Sequence, residues 1–221
     1  MKIQKLDLLI SIYIAAICLA EITGGKIFQI TDKIQLFGNP IGTSVAVFLI
    51  PFISSINDVV VEVYGKKRML SIARSGLIAI AFIFVFLAFS TFLPTAERSF
   101  VSEVEYNKVF LVAQRVSIAS LIAFAFSIGF DILIFSKIRE KLKNYGLWFR
   151  NITSNVFSQF IDTLIFYYLA YYDLTDPNHD LLWARIIAYW IYKCVVSFLI
   201  IPLVYLGVRW LSSDKTQKIE N

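Results

Sequence analysis

Six stretches of the chain, at roughly 6–27, 41–64, 69–93, 108–136, 152–172 and 181–208, are long and apolar enough to cross a lipid bilayer as helices, a crossing that takes about 20 residues. Together they leave almost no length for a soluble domain. The spacing predicts one all-α transmembrane domain over residues 1–221, a polytopic bundle of six helices. Composition agrees: 58% of residues are hydrophobic and only 17% charged, with a mean hydropathy of +0.70, well outside the soluble globular range.

The loops carry their basic residues asymmetrically. Thirteen Lys and Arg fall in the alternate segments at 2–5, 66–68, 137–150 and 209–218, against four in the others (Lys26, Lys33, Arg98, Lys108). By the positive-inside rule both termini are cytoplasmic. The net charge of +5 then reads as topology and attraction to anionic membrane lipid, with no nucleic-acid partner required. Lys2 and Lys5 precede an apolar run as in a signal peptide, but Ile17 stands before Cys18 where a lipobox needs a small residue, so this segment is kept as the first helix. Cys18 and Cys194 fall inside spans, and His179 lies in an outer loop without a second imidazole, so no metal or cofactor is expected. Tyr167, Tyr168, Tyr171, Tyr172 and Trp183 at the outer level, with Trp148 and Trp210 at the inner one, read as interfacial belts.

Against this background the intramembrane charges stand out. Glu21, Asp58, Glu62, Asp131 and Asp162 face Arg74, Arg115, Arg185 and Lys193 across the predicted spans. Each costs at least ~2.5–3.5 kcal/mol at the bilayer centre, so they must turn inward. Similar depth suggests Glu21 with Arg115, Asp162 with Lys193, and Asp58 or Asp131 with Arg74. Helix glue normally uses small residues, which Ala16, Ala20 and Gly24 supply on helix 1. Charge on this scale points to a polar cavity. Ser54, Asp58 and Glu62 share one helical face, flanked by Asn57, while Asn151, Asn155, Gln159 and Asp162 form a second stripe shadowed by Ser154 and Ser158. "SIGFDILIF" (127–135) and "SQFIDTLIF" (158–166) also share Ser, Asp, Leu, Ile and Phe at the same relative positions. A three-plus-three division would make helices 2 and 5 counterparts in halves of opposite orientation. No phosphate-binding loop, nucleophile elbow or dinucleotide fingerprint is present, so nothing here hydrolyses ATP and no enzyme constellation emerges.

Three blocks carry a resemblance. "PFISSINDVVVEVYGKKRMLSIAR" (51–74), "RVSIASLIAFAFSIGFDILIF" (115–135) and "WFRNITSNVFSQFIDTLIF" (148–166) resemble the signature blocks of the queuosine precursor transporter family, also described as vitamin-uptake-like. The resemblance covers about two thirds of the chain, in order. Helix 1 departs from it: the family often has an Asn several residues before a Lys, where this chain has Glu21 before Lys26. It implies a multi-pass bacterial inner-membrane protein that imports a deazapurine base, 7-cyano- or 7-aminomethyl-7-deazaguanine. A guanine-like edge presents two adjacent donors, which one carboxylate of Asp58, Glu62 or Asp162 would accept. Arg115, Asn57 or Gln159 would donate to the ring carbonyl, and Phe52, Phe157 or Phe160 would line a slot for the ring. Glu21 would favour the cationic aminomethyl ligand. Lys26, Arg74, Asp131 and Lys193 are candidates for ion pairing or coupling. A second reading is a substrate-binding subunit served by a separate ATPase module; a homo-oligomer is a further expected partner arrangement.

Overall fold

The computed structural model describes the backbone of residues 4–36, 38–141, 147–172 and 179–217, and the side chains of these except 30–32, 34, 39–41, 127–141, 147–155, 179 and 214–217. Asp131, Asn151, Ser154 and Asn155, and the echo over 127–135, lie outside the described side chains. In chain order the elements are α1 (Lys5–Thr23), β1 (Ile27–Leu36), β2 (Asn39–Ser44), a 3-10 turn (Val45–Leu49), α2 (Ile50–Tyr64), α3 (Lys66–Phe92), α4 (Glu103–Lys141), α5 (Leu147–Tyr171), α6 (His179–Leu199) and α7 (Ile201–Gln217). Helices dominate because a bilayer offers the backbone no hydrogen-bond partners and a helix satisfies its own. Among the described residues five are long and apolar enough to cross: Lys5–Thr23, Val45–Tyr64, Lys66–Phe92, Glu103–Phe126 and Asp180–Leu199.

Three of the differences from the expected spans change the architecture. The first span ends at Thr23 rather than 27 and the second starts at Val45 rather than 41, because 27–44 forms a two-stranded sheet, β1 paired with β2. The all-α expectation missed this hairpin. Its turn is made by Gly38, whose φ of 75° lies where only glycine sits without strain. At Gly42 a side chain would come within 3.2 Å of the Phe28 carbonyl oxygen. Third, the single span expected over 181–208 is two helices, α6 and α7, with the break at Ile200. Pro202 has no N–H to offer the preceding turn, and its ring clashes with the carbonyl four residues back, so the helix breaks there.

The chain divides into two compact units: unit 1 comprises 1–26, 44–114 and 195–221, and unit 2 comprises 27–43 and 115–194. In unit 1, Tyr13, Ile56, Val60, Met69 and Ile72 form a core joining α1, α2 and α3. Glycines set the helix approaches: a side chain at Gly76 on α3 would meet Ile17 and Tyr13 of α1, and one at Gly207 on α7 would meet Val59 of α2 at 2.6 Å. In a membrane, where apolar burial drives little association, such close packing holds helices together. Between α2 and α3 the chain turns on Gly65 alone, at φ 83° and ψ 162°, a region essentially reserved for glycine. Ser44 clamps the neck of the hairpin: its Oγ donates to Gly24 O at 2.8 Å and accepts from Ala46 N at 3.2 Å, while Val45 N donates to Lys26 O at 2.9 Å. At the start of α4, Ser102 and Glu105 bond reciprocally, a capping box in the pattern S-x-x-E. Lys5 Nζ reaches Trp210 O at 2.9 Å and Ser213 Oγ at 2.6 Å, so the first turn of α1 sits beside the last turns of α7.

In unit 2, α5 and α6 run antiparallel, since the partner numbers on α6 fall as those on α5 rise: Gln159 meets Cys194, Asp162 meets Lys193 and Tyr167 meets Tyr189. The hairpin docks on α5 through the buried Thr43 Oγ1 and Tyr167 hydroxyl, 3.5 Å apart.

Candidate transport-site residues

Pro51 at the start of α2 suits the first turn of a helix, where its missing N–H is not needed. The helix that follows places Asp58 and Glu62 one turn apart on one face. Both carboxylates open into a cavity of ≈ 420 Å³ whose other lining residues are Val61 of α2 and Ile201, Val204, Tyr205 and Val208 of α7. That volume is in the range of small-molecule sites. No cation lines it. Arg74, suggested above as a partner for Asp58, is exposed on α3 and makes no ion pair with it among the described residues. Ser54, on the same helical face, is not part of the lining. Asn57 turns away from it as well: its Oδ1 is buried without a hydrogen-bond partner among the described residues, as is Ser55 Oγ. Glu21 is buried at 7% exposure in α1, and Lys26 is exposed just beyond that helix.

Unit 2 holds the second group. Lys193 Nζ lies 2.9 Å from Asp162 Oδ2, with the two side chains 19% and 32% exposed, and 5.0 Å over the Tyr189 ring. One Asp162 oxygen is thus held by a cation. Gln159, one turn earlier on α5, accepts at 3.9 Å from Cys194 Sγ. Arg115 Nε donates to the Leu169 carbonyl at 2.9 Å. Of the aromatics suggested as a ring slot, Phe52 and Phe157 are exposed, as side chains facing lipid are, and Phe160 packs edge-on against Trp190 at 5.2 Å. The tyrosines expected to form one interfacial belt divide. Tyr168 and Trp183 are exposed, but Tyr167 and Tyr171 are buried, because residues four apart share a face and theirs is turned toward α6. Tyr167 meets both Tyr171 and Tyr189 at ring distances of 5.1 Å.

A carboxylate pair in a small-molecule cavity and a second polar group on facing helices suit a protein that handles a polar solute in the membrane. Residues 44–207, which contain both groups, match the sequence profile of the family described as "Putative vitamin uptake transporter". The chain belongs to this family. It is a multi-pass bacterial membrane protein of a transporter family. It is also similar to the "Probable queuosine precursor transporter" of Bacillus subtilis (strain 168), 27% identical over 192 residues that cover 85% of this chain and 80% of the relative. The protein of the same description from Haemophilus influenzae is 25% identical over 136 residues, 62% of this chain and 55% of that one. No solved structure matches. The family profile begins at residue 44, so α1 and most of the hairpin, with Glu21 and Lys26, lie outside the residues that it matches.

Sequence reasoning did not single out the α7 wall of the cavity or the placement of Arg185, Tyr189 and Thr43 around the buried tyrosines. Arg185, Tyr189 and Lys193 recur at i, i+4 and i+8 on α6, a stripe as regular as the two that were recognised. β1 had its own signal in the alternation of Phe28, Ile30, Ile34 and Leu36 with Gln29, Thr31, Lys33 and Gln35.

Proposed function

We propose that this family member imports a queuosine precursor, 7-cyano- or 7-aminomethyl-7-deazaguanine, by secondary transport or facilitated uptake. The observation that carries the reading is the Asp58 and Glu62 pair, open to a cavity that no cation lines among the described residues. A carboxylate with both oxygens available can accept from the two adjacent donors of a guanine-like edge, a charge-assisted bidentate contact. The names of the bacterial relatives point to the same ligand class. Asp162 keeps one oxygen for Lys193 and serves as a coupling or secondary contact, alongside Gln159. Glu21, Asn57 and Arg115 are further contacts in this reading, and Lys26, Arg74 and Asp131 further ion-pairing groups.

The proposal includes six crossings, with α5 added to the five above, and both termini in the cytoplasm. The Lys5 contacts with Trp210 and Ser213 support it, since they bring the two ends of the chain to one end of unit 1, as an even number of crossings requires.

The test is a thermal-shift screen of the purified protein against guanine, both deazaguanine precursors and unrelated vitamins. Stabilisation by a deazaguanine, lost in Asp58→Asn and Glu62→Gln, is the expected result; stabilisation by an unrelated vitamin alone would overturn the ligand assignment. Uptake into liposomes by the purified chain is expected, and uptake only with an added ATPase would exclude the transport mode proposed.

A further inference from the structure

The unit 1 cavity has two unlike walls. Ile201, Val204, Tyr205 and Val208 recur at i, i+3, i+4 and i+7, so a single face of α7 supplies one wall, apolar but for the Tyr205 hydroxyl. The other wall comes from α2 and carries Asp58, Val61 and Glu62. Both carboxylates are exposed rather than packed into the core, and at i and i+4 their Cβ atoms stand about 5–6 Å apart. Two like charges so placed repel each other. They also lie in the membrane-crossing stretch Val45–Tyr64, where charge is costly unless it is matched. The lining does not match it: among the described residues no Lys or Arg borders the cavity, and Arg209, next to Val208 in sequence, lies on another face of α7. A solute suited to this cavity is flat, apolar on its faces and positively charged at its rim.

Resting on the import of a deazaguanine, we propose that this cavity selects the cationic precursor, 7-aminomethyl-7-deazaguanine, over the neutral 7-cyano form. The base presents two adjacent N–H donors on its six-membered ring, and these occupy one carboxylate in a bidentate contact. A neutral ligand stops there and leaves the second carboxylate unmatched. The aminomethyl group, like a lysine amine, keeps its proton at neutral pH. It projects from the five-membered ring, beyond the carbonyl, at a separation from the donor edge close to that of the two carboxylates. It thus brings the second carboxylate its counter-charge, while the α7 face supplies apolar surface for the ring. Glu21, to which the sequence tied this preference, is 7% exposed in α1 and does not line the cavity. The selecting charge is the second carboxylate of α2.

The experiment measures the affinity of the purified protein for three ligands that share the base, its 7-aminomethyl, 7-hydroxymethyl and 7-cyano forms. The hydroxymethyl form keeps the size and reach of the aminomethyl form without its charge. Wild type is expected to bind the aminomethyl form roughly 10- to 100-fold more tightly than the other two, the worth of one hydrogen bond between charged groups. The preference should shrink in Asp58→Asn and in Glu62→Gln, because the carboxylate that remains can serve the donor edge or the ammonium, not both. Equal affinity of wild type for all three would overturn the assignment while leaving the import reading in place. A preference that neither variant reduces would also overturn it, since the ammonium would then be read outside this cavity. A ligand-free melting transition reports folding; should one variant lack it, the other variant and the wild-type ratio carry the same criterion. If wild type binds none of the three, the import of a deazaguanine fails first, visibly in the parent protein, and this assignment fails with it.

Discussion

Gly207→Ala is the sharpest mechanical test of the unit 1 cavity. The added Cβ would lie 2.6 Å from Val59 Cγ2, where carbon atoms prefer about 3.5–4.0 Å, so about 1 Å of separation is missing. Val59 cannot swing aside, being 4% exposed and, as a β-branched residue in a helix, held to one favoured rotamer. Helix α7 must therefore back away from α2. Overpacking of this kind costs about 1–3 kcal/mol, more than the ~1 kcal/mol that alanine gains over glycine in a helix. The companion variant is Val59→Ala, which loses about 2 kcal/mol by removing buried methyl groups. In the double variant the new Cβ sits 3.7 Å from the Cβ of residue 59, an ordinary contact, so the second change should relieve the first. Melting of the four proteins in one detergent is the assay. The double variant is expected to melt at or above Val59→Ala alone, a coupling of about 2 kcal/mol between touching residues. Additive losses, or a Gly207→Ala protein as stable as wild type, would refute the geometry of the α2–α7 crossing.

Gly65→Ala should cost about 1–3 kcal/mol from the backbone alone, because a Cβ there meets nothing within 4 Å; a wild-type melting temperature would count against the turn. Lys193→Met should destabilise by about 1–2 kcal/mol, below the loss for a fully buried pair because both partners keep some exposure. Adding Asp162→Asn should recover part of that loss, and a larger loss in the double variant would contradict the pairing. Ser102→Ala removes the cap of α4 and should cost about 1 kcal/mol, read as a lower midpoint in chemical unfolding; no shift would mean that the reciprocal bonds with Glu105 contribute nothing.

The spans that sequence read best were those whose apolar runs end in polar residues. Helix α3 was expected over 69–93 and runs Lys66–Phe92, because Gly65 and the Leu93-Pro94 step bracket it. The hairpin was hidden by Ile27 and Phe28, which lengthen the first run, and by Pro40 to Gly42, which adjoin the second. Only the two-residue alternation within 28–36 separates them, and it is weak beside a hydropathy signal built over about 20 residues. The break after α6 had a visible cause in Pro202, but hydropathy does not register a missing N–H. Asp162 and Lys193 could be matched by depth, since equal rise along two helices puts them level. The directions of Asn57 and Tyr167 depend on how each helix is rotated against its neighbours, which is set by packing spread over many residues and cannot be read from depth. The α7 wall of the cavity needed the kink to be known first.

Ser44, holding Gly24 while Val45 holds Lys26, closes the base of the hairpin that spans residues 27–43. Strain applied at its turn meets those bonds before it passes along the chain into α1 or the 3-10 turn. The turn at Gly38 is accordingly a place for an epitope or a fluorophore, where a reporter can be carried without breaking the bonds that close the base.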